Sequence, residues 1–309
     1  MSATLIGKDL HPLSKPIPCV LCLGNFDGVH IAHAMLAGQA KQLAEQLGVT
    51  PGAFCFFRPS GDYLGKAAPA HLTSTAQKLS LLFEAGAEIA LVASFPALRD
   101  LSVDEFITFL KQHGCVGVVC GYDFRFGKGA AGNADALLAH FGEERTVIVP
   151  PQTLPDGRRV ASAAIRELIG QGEVGQAAAM LGRPWSLDAS VCHGKHLGSS
   201  WGFPTANQYF PPRSVVPAHG VYAVRCTVDG QTYDGVANVG ARPTTDGSGA
   251  RVNCETYLFD FEGDLYGKVV HTAFYAFLRP EQKFEDACAL RAAIARDADT
   301  ARAYFQNPE

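Results

Sequence analysis

The sequence contains no apolar run of about 18 residues, the length that a helix needs to cross a membrane. Its first residues, MSATLIGKDLHPLS, show neither a basic end followed by an apolar core nor a small-residue cleavage pattern. These two absences argue against a membrane span and a secretory leader. We therefore expect a cytoplasmic protein that has no membrane partner.

The sequence also lacks an excess of positive charge, with 26 Lys and Arg residues against 30 Asp and Glu and a net charge of −4. A surface that binds the phosphates of a long nucleic acid is normally basic, so we expect no nucleic-acid partner. Phosphate binding should then be confined to small local sites. The Walker A pattern is absent too, which excludes a P-loop as the nucleotide site.

The nine cysteines show no disulfide or zinc pattern. Their number is odd, and several lie in apolar strand-like runs, as Cys55 does in AFCFF and Cys120 in VGVVC. Cys19 and Cys22 have CxxC spacing, but no second CxxC or nearby histidine pair completes a zinc site. We expect buried, reduced thiols that pack as small hydrophobes in a reducing compartment.

The 309 residues suffice for two domains, and the pattern of elements changes between the two halves. From residue 17 to 170, short apolar runs alternate with helix-like segments, which indicates βαβ units in a mainly parallel sheet with helices on both faces. From Trp185, strand-like runs joined by turns indicate an antiparallel sandwich or barrel, and a helix closes the chain. Gly and Pro in LGRPWSL place the boundary at residue 182, which gives domains 1–182 and 183–309.

Two histidines follow the first strand-like run of the first domain, in LGNFDGVHIAHAML. If His30 and His33 lie in the first turn of a helix, their spacing places them on one face, beside free N–H groups that favour an anion. Gly24 permits close approach of a ligand, and Asp27 can cap the helix. The stretch predicts a phosphate site at the carboxyl end of a strand. A solvated helix end is the alternative, and a metal site would need further ligands.

The segment GNFDGVHIAH resembles the GxFDGxHxGH motif of the nucleotidyltransferase superfamily. Together with GYDFRFGKGAAG at residues 121–132, it resembles the adenylyltransferase half of bacterial bifunctional riboflavin kinase/FMN adenylyltransferases, also called FAD synthetases. The resemblance implies an α/β Rossmann-like domain in which His30 and His33 hold the phosphates of ATP. It further implies that the FMN phosphate attacks the α-phosphorus and that pyrophosphate leaves. Asp123 and Phe126 are candidates for flavin contacts.

The first domain keeps part of the family's phosphate-binding pattern and departs from the rest. In ASAAIREL, which stands where the family has SSTxIR, Ser162 and Arg166 are kept as ATP contacts. Hydroxyl, imidazole and glycine positions of the family are replaced by Ala32, Ser60, Ala163 and Ala164. Losing one hydrogen bond that forms in the transition state costs about 2.7 to 4 kcal/mol. Several such losses could silence this half.

The stretch VCHGKHLGSSWGFPTANQYFPP, residues 191–212, carries the chemistry of the second domain. Loops of the GKHLG type present backbone N–H groups to phosphate, here with Gly194, Lys195 and Gly198. In PTAN, the Thr205 hydroxyl can ligate Mg²⁺, and Asn207 can act as a second ligand or contact a ribityl chain. On these residues alone, an ordinary Pro-Thr-Ala-Asn turn is the alternative.

The whole stretch resembles the riboflavin kinase signature, a GKxLGR loop followed by GFPTAN, and the resemblance continues through GVANVGARPT and CETYLFDFEGDLYG. It implies an antiparallel Greek-key β-barrel of six strands with a C-terminal helix, in which Thr205 and Asn207 help to hold Mg²⁺-ATP. Glu255 takes the position of the general base for the riboflavin 5′-hydroxyl, and strand alternation places it on one face with Asn253. Ser199 replaces the arginine of the loop motif.

The sequence therefore predicts a flavin enzyme of two domains, whose partners are riboflavin, FMN, FAD and ATP and whose cofactor is Mg²⁺. The second domain makes FMN from riboflavin, and the first converts FMN to FAD. One alternative keeps the kinase and makes the first domain a flavin- or nucleotide-binding regulatory module. Another is a flavin carrier without turnover. No prediction of an oligomeric state follows from these residues.

Overall fold

The computed structural model describes residues 2–6, 15–63, 68–192, 205–243 and 250–306. The chain divides into two compact units, Met1–Ser162 and Ala163–Glu309. The boundary predicted at residue 182 lies further along the chain, within the second unit. No helix in these described ranges is long and apolar enough to span a membrane.

The first unit is built on a six-stranded sheet in which every pair of neighbours is parallel, with the order β1-β4-β3-β2-β5-β6. The strands are β1 Ser2–Ile6, β2 Cys19–Leu23, β3 Thr50–Phe56, β4 Ile89–Ala93, β5 Cys115–Gly121 and β6 Thr146–Val149. The apolar runs from which they form suit a sheet buried on both faces. The predicted α/β architecture is confirmed.

Helices cover both faces of this sheet, as predicted. They are α1 Ile31–Leu47, α2 Thr75–Glu84, α3 Phe95–Leu98, α4 Val103–Gln112 and α5 Ala134–Phe141. On one face Leu21 belongs to a buried apolar cluster with Phe106, and on the other Cys22 belongs to a second cluster with Leu82. Because successive strand residues point to opposite faces, one short strand serves both cores. Because β2 and β3 pair in parallel, their carboxyl ends lie side by side at one edge of the sheet.

The second unit contains a closed barrel with the strand order β10-β11-β8-β7-β12-β9, in which all neighbours are antiparallel. Its elements are α6 Ser162–Gly170, α7 Val174–Leu181, β7 Trp185–Cys192, β8 Thr205–Tyr209, β9 Gly220–Val228, β10 Gln231–Pro243, β11 Ala250–Leu258, β12 Val269–Pro280 and α8 Ala287–Gln306. Strands β9, β10 and β11 are consecutive neighbours, and β8 returns beside β11, which is a Greek key. The predicted barrel and terminal helix are confirmed.

Polar side chains face the inside of this barrel, while α8 covers part of the outside. Gln208 is fully buried, and its Oε1 accepts a hydrogen bond from Thr272 at 2.7 Å. Ala298 and Ala301 of α8 pack in one cluster with apolar residues of β9 and β10, among them Val236. Asn238, two residues after Val236, shares its outer face, and the strand register carries this face across to β11 and β8.

Candidate active sites

His30 and His33 lie together at the start of α1. His30 is the N-cap residue, and its Nδ1 accepts a hydrogen bond from the backbone N–H of His33 at 3.3 Å. The two rings stack with centroids 3.6 Å apart and an interplanar angle of 12°. The prediction that both imidazoles occupy one face at a helix start is confirmed. They stand beside the free N–H groups of the first turn, where an anion is favoured.

The prediction that Asp27 caps this helix is wrong, because its carboxylate is used elsewhere. Asp27 is 5% exposed, and its Oδ1 accepts hydrogen bonds from the backbone N–H groups of Leu72 at 3.0 Å and Thr73 at 3.2 Å. The Ser162 hydroxyl donates to the backbone carbonyl of Asp27 at 2.9 Å. Asp27 thus ties the loop after β2 to the segment before α2, and Ser162 is brought to the same loop.

His33 carries a polar atom that nothing in the described part of the chain satisfies. Its Nδ1 is buried and makes no hydrogen bond with any described residue. Burial, and then the neighbouring charges of His30 and Lys78, hold the pKa of His33 well below its usual value of 6.5. A buried ring nitrogen without a partner calls for an explanation, and a phosphate oxygen at the helix start would supply the missing contact.

Gly24 lies in the loop after β2, and Ser60 contacts the same loop. Gly24 ends the run of β2, and its N–H donates to the carbonyl of Phe54 on β3 at 3.2 Å. A Cβ atom added at Gly24 would lie 3.1 Å from the ring of Phe26, which is a tight contact, so a larger residue would need the ring to shift. The Ser60 hydroxyl accepts from the Asn25 side-chain amide at 3.3 Å.

The two candidate flavin contacts, Asp123 and Phe126, differ in exposure. Asp123 is exposed, and its Oδ2 pairs with Arg159 at 2.7 Å. Phe126 is 6% exposed, and its ring packs on Phe106 with centroids 5.0 Å apart, inside one of the two apolar cores. Asp123 has an accessible carboxylate, while Phe126 is a core residue in this arrangement. Their flavin contacts remain predictions.

The remaining predicted phosphate contacts divide into described and undescribed residues. Arg166 lies on α6, one turn after Ser162, and belongs to the second unit. Ala32 stands in the first turn of α1, and Ala163 and Ala164 stand in the first turn of α6. The predicted loop residues lie outside the described residues: Gly194, Lys195, Gly198 and Ser199.

In the second unit, the three residues on which the kinase prediction depends are neighbours. Thr205 and Asn207 are two apart on β8, so both face the same side. Asn207 lies directly opposite Glu255 on β11, and Thr205 lies opposite Tyr257. Directly opposed residues have Cβ atoms about 4.5–5.5 Å apart. The prediction that a hydroxyl, a carboxamide and a carboxylate converge is therefore confirmed as geometry.

Asn253 links two members of this group, a connection that the sequence analysis missed. It is 2% exposed, and its side-chain Nδ2 donates to Glu255 Oε1 at 3.0 Å and to Asn207 Oδ1 at 3.2 Å. The shared strand face of Asn253 and Glu255 is visible in the sequence, but the link to Asn207 needs the β8–β11 register. Asn238, opposite Glu255 on β10, extends the polar row.

On the outer face of the barrel, Thr205 and Asn207 place oxygen donors beside the Glu255 carboxylate. The Thr205 hydroxyl and the Asn207 carboxamide oxygen are the hard donors that Mg²⁺ accepts, and one hydrogen bond from Asn253 leaves the Asn207 oxygen a second lone pair. Glu255 is partly buried beside them. The first unit places two imidazoles at a helix start, and the second places neutral oxygen donors next to a carboxylate. These are the features of enzymes that transfer phosphoryl and nucleotidyl groups.

Comparison with protein families assigns the two units separately. The family model described as FAD synthetase matches residues 13–164, and the model described as riboflavin kinase matches residues 181–305. Residues between these matches include α7, which packs on barrel strands of the second unit. By fold and by family, the chain is of the class of nucleotide-dependent transferases with two sites.

Relatives that match nearly the full length of the chain identify its family within this class. The chain is 37% identical over 292 residues to the bifunctional riboflavin kinase/FMN adenylyltransferase of Pseudomonas fluorescens, covering 92% of each chain. It is 34% identical over 307 residues to that of Haemophilus influenzae, covering 97% of this chain and 99% of the relative. The chain belongs to the family of bifunctional riboflavin kinase/FMN adenylyltransferases.

A solved structure shares this arrangement of elements. The crystal structure described as a macrolide-efflux protein from Streptococcus pneumoniae superposes with a TM-score of 0.86 and 28% identity, covering 97% of this chain and 98% of that chain. The similarity supports the fold over its full length.

Proposed function

We propose that this chain phosphorylates riboflavin to FMN on its barrel and adenylylates FMN to FAD at the start of α1. The observation that carries the proposal is the cross-strand pair of Asn207 and Glu255, with Thr205 on the same face, in a chain that also stacks His30 on His33. Both halves match their family models, which favours two activities over a kinase with a regulatory module. A carrier without turnover has no use for a carboxylate beside cation ligands.

In the phosphoryl transfer, Glu255 accepts the proton of the riboflavin 5′-hydroxyl as that oxygen attacks the γ-phosphorus of ATP. The new O–P bond forms while the bond from the γ-phosphorus to the β,γ-bridging oxygen breaks, and ADP leaves. Asn253 holds the carboxylate in place through the hydrogen bond to Oε1. A fixed carboxylate costs no reorganisation when the hydroxyl arrives.

Mg²⁺ fits the donor set of this site. Thr205 and Asn207 supply neutral oxygens, so the ion would keep most of its charge for the phosphates of ATP. Mg²⁺ bound there would neutralise charge on the β- and γ-phosphates. Lys195, with Gly194 and Gly198, is proposed to contact the same phosphates.

In the adenylyl transfer, a phosphate oxygen of FMN attacks the α-phosphorus of ATP, and pyrophosphate leaves as that P–O bond breaks. No protein nucleophile is needed, because alignment and charge neutralisation supply most of the rate. The unpartnered Nδ1 of His33 and the first-turn N–H groups of α1 are the proposed phosphate contacts. We propose that Gly24, Asp27 and Ser162 shape the loop that holds ATP.

The finer assignments complete this proposal. Arg166 is proposed to contact ATP phosphates, and Asp123 and Phe126 the flavin. Residue 182 is proposed as the boundary between the two activities, in keeping with the family matches that end at 164 and begin at 181. The nine free cysteines suit a reducing cytoplasm, which is where we propose that the enzyme works.

One time course tests the proposal. The protein is incubated with ATP and Mg²⁺ and either riboflavin or FMN, and the flavins are separated by chromatography. We expect riboflavin to give FMN first and FAD after a lag, and FMN to give FAD without a lag. FMN formation without FAD from either substrate would support the regulatory-module alternative, and neither product would support the carrier.

A further inference from the structure

Lys78 is a buried lysine of α2 that the proposed mechanism does not use. Its residue is 3% exposed. Its Nζ donates to the carbonyl of Phe56 at 2.6 Å and lies 3.5 Å from the carbonyl of Asn25. Phe56 ends β3, and Asn25 follows the end of β2. The ammonium group therefore sits where two neighbouring parallel strands end.

No carboxylate neutralises this ammonium group within the described ranges of the chain. Its hydrogen bonds there go to two neutral carbonyl oxygens, and it forms no ion pair with a described Asp or Glu. Asp27, the acidic residue of the loop after β2, accepts hydrogen bonds from the N–H groups of Leu72 and Thr73. An isolated buried cation is costly, so such groups normally have a charged partner.

The position of Lys78 indicates what this partner is. The ammonium group shares the loop after β2 with the two histidines, and its positive charge is close enough to lower the pKa of His33. On the same edge lie the free N–H groups at the start of α1. The helix start and a lysine without a carboxylate partner among the described residues form one positive region beside two imidazoles, which fits an anion of several charges.

We infer that Lys78 is a positioning residue for adenylyl transfer, whose ammonium group supplies a fixed positive charge beneath the phosphates of the nucleotide. The ligand class is a polyphosphate, either the triphosphate of ATP or the pyrophosphate that leaves. The charge favours the chain of phosphates over a single phosphate. This inference rests on the proposed adenylyltransferase function.

A purely structural role of Lys78 predicts different results from a role of its charge in phosphate binding. If Lys78 only ties the ends of β2 and β3 together, its removal should lower stability without a specific effect on phosphate binding. If it supplies charge, a neutral side chain of similar length should impair pyrophosphate binding while the fold persists. Lys78→Met tests this, and Lys78→Arg keeps the charge. Lys41→Met is the matched control, since Lys41 is exposed on α1.

Three measurements on the full chain separate these outcomes. We expect Lys78→Met to slow FAD formation from FMN by about 10² or more, while FMN formation from riboflavin stays within about threefold. We expect its affinity for pyrophosphate, measured by calorimetry, to fall by about tenfold or more, and Lys78→Arg to recover part of both losses. In NMR titrations, the pKa of His33 should rise in Lys78→Met and stay unchanged in Lys41→Met.

The inference is overturned if Lys78→Met binds pyrophosphate and makes FAD as the unmodified chain does. It is overturned as well if Lys78→Met and Lys78→Arg lose FAD formation equally while the His33 titration does not move, which is the structural outcome. If the unmodified chain makes no FAD, the proposed adenylyl transfer fails by itself. Pyrophosphate affinity then still decides whether Lys78 serves a polyphosphate site.

Discussion

The side-chain amide of Asn253 donates a hydrogen bond to the carboxylate of Glu255, with an N···O distance of 3.0 Å. The same amide nitrogen donates to the carboxamide oxygen of Asn207, so one side chain fixes the proposed base and a proposed metal ligand together. The bond to Asn207 is buried, and the bond to Glu255 is partly buried, so water competes little for the amide of Asn253. In the proposed kinase site, the position of the Glu255 carboxylate relative to Asn207 therefore depends on Asn253.

Replacing Asn253 should therefore impair FMN formation by displacing the Glu255 carboxylate, and riboflavin binding should be affected little. A hydrogen bond to a charged group contributes about 1.5–3 kcal/mol, so we expect Asn253→Ala to lower kcat by about tenfold or more. Asn253→Asp should be worse, since it sets a second carboxylate beside Glu255. Steady-state kinetics with riboflavin check this, and FAD formation from FMN in the same variants is the control. Equal kcat values in all three proteins would contradict it.

Glu255→Gln tests the proposed base directly. The amide keeps the size of the side chain but cannot take the proton from the 5′-hydroxyl, so we expect FMN formation to fall by about 10² or more. Riboflavin binding, followed by fluorescence quenching, should be retained. Glu262→Gln is the control, because Glu262 is an exposed residue in the segment after β11. Turnover near that of the unmodified chain would remove Glu255 from the mechanism.

His33→Asn should separate the two activities in one molecule. We expect FAD formation from FMN to fall by about 10²–10³, because a contact that forms with the transition state is lost. FMN formation on the barrel should be unchanged, which shows that the chain is folded. His140→Asn serves as the matched control, since the His140 side chain is 38% exposed on α5. A parallel loss of both activities would indicate a folding defect instead.

The lowered pKa of His33 predicts a pH dependence of pyrophosphate binding. In the free protein, burial keeps the imidazole neutral at pH 7, and an adjacent phosphate oxygen favours the charged form and raises the pKa. Binding should then take up protons, and affinity should increase as the pH falls through the raised pKa of His33 in the complex. Calorimetry in buffers of different ionisation enthalpy measures the uptake. It should shrink in His33→Asn, and equal uptake would contradict the assignment.

Much of the fold was predictable because its patterns are local. Apolar runs that alternate with helical segments predicted the sheet and both helical layers, and turn signals between β-rich runs predicted the barrel. The short edge strands Ser2–Ile6 and Thr146–Val149 were not recognised, since a few residues carry little periodic signal. Strand β1 pairs with β4, far along the chain, and only the tertiary structure shows that pairing.

The sites were predictable as far as one segment carries them. His30 and His33 are three residues apart, so their placement on one face at the helix start follows from spacing, while the stacking of their rings is seen only in the structure. The hydrogen bonds of Asp27 could not be predicted in this way, because its partners Leu72 and Thr73 come from a different segment of the chain. The link between Asn253 and Asn207 and the position of Lys78 were missed for the same reason. The role of an amide or an ammonium group depends on the groups that the fold places next to it.

The central claim is that two separate sites act in sequence on one flavin, and mixing two disabled variants measures it most directly. Neither Glu255→Gln nor His33→Asn should make FAD from riboflavin efficiently by itself. In an equimolar mixture with ATP and Mg²⁺, FMN released by His33→Asn reaches the intact adenylyltransferase site of Glu255→Gln. The account predicts that the mixture forms FAD after a lag in which FMN accumulates. A mixture that makes no more FAD than the two variants measured separately, with both variants folded, would contradict it.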